Sequence, residues 1–212
     1  MLIHLVKKDF LIVKQYVMLM AAVAIFIPLF MLWRVPENAG TIGFILSVIF
    51  SIFMLLQYVL QIEYRFPKAA ALLCATPYSR KLLVLSKYIF CLIIYAFCCV
   101  SFWIESMIFP ALGGFPAGLA VITFFMFAIF LGIYLPVQYK WGYEKTKFIV
   151  FIVILASPFV LPVFLKMEHG RYLDDILTCS PWLYGMMLLV SCAVLSISAG
   201  VSIRIYRNTD LT

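Results

Sequence analysis

Six uninterrupted apolar stretches, each of bilayer length or close to it, limit this chain more than any other feature of its sequence. They cover residues 15–33, 41–61, 88–109, 116–137, 148–165 (the shortest) and 182–203. A helix needs about 20 apolar residues to cross a hydrocarbon core. Inside that core every backbone polar group must be satisfied internally, which leaves helices or a closed barrel. The runs are continuous and lack the two-residue alternation of barrel strands, so helices are predicted. Composition agrees: 66% of residues are hydrophobic and only 12% charged, too few charges to coat a water-facing surface. The length allows one domain, residues 1–212, with no soluble catalytic domain beside it.

Charge placement predicts the threading. Of the sixteen basic residues, thirteen fall on one side if the chain crosses six times: Lys7, Lys8, Lys14, Arg65, Lys68, Arg80, Lys81, Lys87, Lys140, Lys145, Lys147, Arg204 and Arg207. Arg34, Lys166 and Arg171 fall on the other, with Glu168, Asp174 and Asp175 in the last outer loop. The positive-inside rule puts the first set, and both termini, in the cytoplasm. Trp33, Trp103, Trp141 and Trp182 lie near span ends, as interfacial aromatic belts require. The net charge of +7 is spread between apolar runs and not gathered into a stripe. It therefore reads as topology and attraction to membrane lipid headgroups, with no nucleic-acid partner.

The expected fold is an all-α integral membrane protein of six transmembrane helices, N-in and C-in, preceded by an interfacial amphipathic helix at 1–14. In that first segment Leu2, Leu5, Val6 and Phe10 share one face, with Lys7, Lys8 and Lys14 elsewhere. It carries no signal-peptide cleavage pattern. Pro28, Pro158 and Pro162 lie inside spans and are expected to kink them.

The longest cytoplasmic loop, 62–87, divides into a short amphipathic helix at 68–75 after Pro67, a break at Thr76-Pro77-Tyr78-Ser79, and the start of the third helix at Arg80 and Lys81. Glu105 is the one clear ionisable residue within a span. Such a carboxyl is a functional candidate by default, either touching substrate or protons or reaching out to the nearby interface. Gln57 and Gln61 are expected to bond across helices. Cys91, Cys98, Cys99 and Cys192 sit in apolar runs as packing residues. His4 and His169 stand alone on opposite sides, so no metal site and no catalytic triad is predicted. No GxxxxGK[ST] loop occurs, so nucleotide binding is not expected from this chain.

The string Thr76-Pro77-Tyr78-Ser79-Arg80-Lys81, followed by Ser86-Lys87-Tyr88, resembles a loop in the permeases of type-2 ATP-binding-cassette (ABC) exporters. There an acidic residue, here Glu63, precedes a "Leu-Pro-x-Ser-Arg" element and a "Ser-Lys-Tyr" entry into the third span. Ala75-Thr76-Pro77 departs slightly from the usual "Ser-Leu-Pro". Pro136, Tyr139-Lys140-Trp141-Gly142 and Glu144-Lys145 resemble "Pro-x-x-Tyr-Lys-Phe-Gly-x-Glu-Lys" in a small bacterial branch.

The resemblance implies a non-catalytic subunit of a bacterial plasma-membrane exporter. It would pair with a second permease copy, or a homologous permease, and with two ABC ATPase subunits that hold ATP and magnesium. The residues implied in ATPase coupling are Glu63, Arg65, Lys68, Pro77, Ser79, Arg80, Lys81 and Lys87, with Tyr139, Lys140, Gly142, Glu144 and Lys145 in the second inner loop. The loop 166–181 would be a gate-like region. An ATP-independent carrier or channel is the alternative; it would need several buried ionisable groups along a path. An intramembrane enzyme would need clustered His, Asp, Glu or Cys.

Overall fold

The computed structural model describes residues 2–34, 39–66, 80–112, 114–166 and 181–208, omitting the side chains of 80, 161, 162, 164–166, 181 and 208. Among these residues seven α-helices follow in order: α1 Leu2–Ile12, α2 Lys14–Arg34, α3 Ala39–Arg65, α4 Arg80–Ile108, α5 Ala117–Trp141, α6 Tyr143–Lys166 and α7 Pro181–Asn208. A 3-10 turn, Pro110–Leu112, follows α4. No strand occurs among the described residues. Among the described residues five helices (α2, α3, α4, α5 and α7) are long and apolar enough to cross a membrane. α6 is helical throughout the expected fifth span, with Glu144, Lys145 and Lys147 in its first turns.

α3 is the central helix: 72% of its apolar stretch is buried, against 22% for α2 and for α7. It packs on α2, α4 and α6, while α5 pairs closely with α7. Gly43 makes the α2–α3 approach possible, since a Cβ there would stand 2.7 Å from Pro28 Cα. Phe44, Val48, Ile52, Leu56 and Val59 continue the packing face of α3 at helical spacing.

Serines answer three of the prolines that lie within helices, Pro28, Pro136 and Pro158. A proline in a helix removes the N–H that would bond the carbonyl four residues earlier. Pro28 frees the Ala24 carbonyl, and Ser47 Oγ of α3 donates to it at 3.0 Å. Pro136 frees the Gly132 carbonyl, and Ser198 Oγ of α7 donates to it at 2.7 Å. Pro158 frees the Ile154 carbonyl, and Ser157 Oγ in the same helix donates at 2.9 Å. In hydrocarbon no water is at hand for an orphaned carbonyl, so neighbouring hydroxyls take its place. Two of the three serines come from another helix, which makes these sites tertiary joints.

The charged helix ends gather at one end of the bundle. The ring centroids of Tyr64 at the close of α3 and Tyr143 at the start of α6 lie 5.7 Å apart. Those of Tyr139 near the end of α5 and Tyr206 near the end of α7 lie 5.3 Å apart. α1 packs against α4 at this end. At the opposite end Phe44, Phe102 and Phe115 form an aromatic cluster with centroids 5.1–5.5 Å apart.

The candidate coupling site

At the charged end four ionised side chains from three helices form a compact cluster. Lys87 Nζ, in the second turn of α4, lies 2.9 Å from Asp9 Oδ1 on α1 and 2.7 Å from Glu63 Oε1 on α3. Lys8 Nζ approaches the same two carboxylates, at 3.2 Å and 3.0 Å. Ser86 Oγ lies 3.3 Å from Asp9 Oδ2 and donates to the Leu83 carbonyl at 2.9 Å. Asp9 and Lys87 are buried, with 0% and 3% of their side chains exposed; Lys8 and Glu63 open to the surface at 24% and 30%. Two cations therefore meet two carboxylates, so the group is neutral as a whole. Burying such charges is tolerable only when each is paired and hydrogen-bonded, and each is.

The cluster has a mechanical consequence. Glu63 and Lys87 stand on either side of the segment that joins α3 to α4, and Asp9 adds α1 to both. From Lys87 the chain of contacts continues through its neighbour. The Tyr88 hydroxyl lies 2.7 Å from Ser198 Oγ and 3.0 Å from Ser202 Oγ. Ser198 is the residue that bonds the carbonyl freed by Pro136. Helices α1, α3, α4, α7 and the proline site of α5 are thus joined through side-chain hydrogen bonds of two adjacent residues, Lys87 and Tyr88.

A family model described as "ABC-2 family transporter protein" matches residues 4–207. The chain belongs to the ABC-2 transporter family. No curated protein and no solved structure matches it. As an ABC-2 permease subunit it is a multi-pass cell-membrane protein of transport, of a kind that works with ABC ATPase subunits.

The residues singled out in the sequence of this ABC-2 permease are distributed as follows. Glu63 and Lys87 are brought into direct contact. Arg65 and Lys81 are exposed at the same end. Lys68, Pro77 and Ser79, the amphipathic segment 68–75 and nearly all of the gate-like loop 166–181 lie outside the described residues. Arg80 is the first residue of α4. In the second loop Gly142 ends α5 at φ 81°, donating its N–H to the Gln138 carbonyl. That φ is left-handed and favours glycine. Thr146 Oγ1 donates to the Gly142 carbonyl at 2.8 Å, bracing the turn. Lys140, Glu144 and Lys145 are exposed around it, with the Glu144 carboxylate accepting from the Tyr64 hydroxyl.

Asp9 and Lys8 were not singled out in the sequence. A signal for Asp9 was present: it follows Leu5 by four residues and Val6 by three, and all three are buried on one face of α1. An acid on a packing face implies a buried cation, but its identity depends on a contact 78 residues away. Gln57 does bond across helices, donating to the Tyr134 hydroxyl on α5. Cys91 and Cys98 are buried, whereas Cys192 is exposed on α7 and does not pack in the core.

Glu105 does not reach outwards. It is 5% exposed, three residues beyond Phe102 on the face of α4 that carries the aromatic cluster. Neither carboxyl oxygen has a hydrogen-bond partner. Its neighbour Trp103 faces outwards, 49% exposed.

Proposed function

We propose that the chain is the pathway-forming subunit of an ATP-driven exporter, crossing the membrane six times with both ends in the cytoplasm. In this reading α6 is the fifth span. α1 lies at the inner surface as an elbow, with exposed Ile3 and Leu11 dipping among the headgroups. Two permease copies, identical or homologous, enclose the pathway. Two separate ATPase subunits hold ATP and magnesium and dock on the segment between α3 and α4 and on the turn at Gly142. Closure of the ATPases pushes on those segments.

The observation that carries this reading is the position of Lys87. It ties both ends of the α3–α4 segment to each other and to α1, so a push on that segment is delivered to three helices together. A flexible loop tethered at one end would absorb the push. The cargo in this reading is amphipathic or hydrophobic: a peptide, lipid or drug. Glu105 is its candidate contact on the pathway, because an unpartnered carboxyl in a span is expensive without a role. A carrier or channel that uses no ATP is supported less well. It would need a row of buried ionisable groups, and among the described residues Glu105 is the single buried acid with no partner.

The test is co-reconstitution. The permease and the ABC ATPase that co-purifies with it, placed together in proteoliposomes, are expected to hydrolyse ATP at a rate that depends on the permease. Substitution of Lys87 is expected to uncouple the two. Cargo movement by the permease alone, with no ATPase present, would refute the proposal.

A further inference from the structure

An apolar groove of about 490 Å³ runs along the outside of α5 where α6 begins. Its wall is built from Met126, Ile129, Ile133, Val137 and Trp141 on one face of α5, with Ile149 of α6 closing it. From Met126 to Trp141 the face is roughly 22 Å long at the helical rise, longer than one leaflet, which is about half of a 30 Å hydrocarbon core. The groove therefore runs from the interfacial tryptophan past the bilayer midplane. Its polar wall group, the Tyr134 hydroxyl, is engaged by Gln57 and Thr146, so what fills the groove needs no hydrogen bonds.

The mouth is different in character. Lys140 precedes Trp141 and follows the lining residue Val137 by three positions; Lys145 precedes the lining residue Ile149 by four. At those spacings each lysine shares a helix face with the groove wall, and both are exposed. The acid of this turn, Glu144, is held by Tyr64 on α3. Hydrocarbon within, an indole at the rim and two free cations above it match one kind of molecule. Basic sites between helices at the membrane surface take anionic lipid headgroups.

We propose that this groove is a binding site for an anionic phospholipid, with one acyl chain along α5 and the phosphate at Lys140 and Lys145. The two lysines belong to the turn on which the ATPases are proposed to dock, and lipid binding is read on the permease alone, so its outcome does not hinge on ATP coupling.

The experiment uses the full chain with Trp33, Trp103 and Trp182 replaced by phenylalanine, leaving Trp141 as the single fluorophore of the four tryptophans. It is reconstituted in phosphatidylcholine containing a small fraction of brominated lipid, either phosphatidylglycerol or phosphatidylcholine. Brominated phosphatidylglycerol is expected to quench Trp141 with an apparent affinity at least about fivefold above that of brominated phosphatidylcholine, the size expected from one lysine near an anionic lipid. Lys140→Gln with Lys145→Gln is expected to abolish the preference, and Lys140→Arg with Lys145→Arg to keep it. Ile133→Phe, which narrows the groove with both charges intact, is expected to weaken quenching by the anionic lipid. Equal quenching by the two lipids in the parent protein would overturn the proposal, as would a preference that survives the double glutamine variant.

Discussion

Lys87 and Asp9 are 78 residues apart in sequence, yet Nζ of one lies 2.9 Å from Oδ1 of the other in a fully buried pair. The pair fastens the N-terminal helix to the foot of α4, and Glu63 extends the fastening to α3. Removing Lys87 leaves Asp9 buried with its charge no longer fully matched, and breaking a buried pair typically costs about 3–5 kcal/mol. Lys87→Met is expected to lower the unfolding midpoint in detergent by that order. Asp9→Asn, whose amide oxygen can still accept while Lys87 keeps Glu63 at 2.7 Å, is expected to cost less. Hydrogen exchange of α1 in both variants checks the mechanism: α1 must lose protection before the spans do.

Ser198 answers the carbonyl that Pro136 leaves open, and Tyr88 leans on the same serine. Ser198→Ala is expected to destabilise the protein by about 1 kcal/mol, the usual scale of an interhelical hydrogen bond in a membrane. Tyr88→Phe acts on the same network. The double variant is therefore expected to lose less than the sum of the single losses, as residues sharing partners do. A double-mutant cycle on thermal stability measures this; strict additivity would separate the two contacts.

Gly142 holds φ at 81° between α5 and α6. A Cβ there meets no neighbouring atom, so Gly142→Ala isolates backbone strain. The expected destabilisation is about 1–3 kcal/mol, read from the same melting experiment, with α5 unwinding at Tyr139–Trp141 as the alternative way to relieve it.

Glu105 is buried without a partner beside the Phe102 cluster. Glu105→Gln keeps the shape and cannot ionise. It is expected to leave the melting midpoint unchanged to within about 1 kcal/mol while altering the response of ATP hydrolysis to cargo. A variant with unaltered cargo response would place Glu105 outside the pathway.

How far the sequence foretells this molecule depends on the range of each contact. Helix positions follow from local composition, and Pro28 and Pro158 announce the carbonyls they free. Which hydroxyl repairs each break does not follow, because Ser47 and Ser198 arrive from other helices. Glu63 and Lys87 stand out as charges at helix ends, yet their contact depends on how α3 and α4 cross. Glu105 was legible as a candidate but not its direction, since the face a span turns inward depends on packing that hydrophobicity alone does not encode. The groove on α5 needed α6 in place before it existed at all.

Docking of cytoplasmic ATPases requires the basic end of the bundle to face the cytoplasm. In a cysteine-free background, Lys145→Cys reports on that end directly through a membrane-impermeant maleimide. Labelling is expected in inverted vesicles and not in intact cells. Labelling of Lys145→Cys from outside intact cells would contradict the orientation, and with it the docking of any cytoplasmic ATPase on this face.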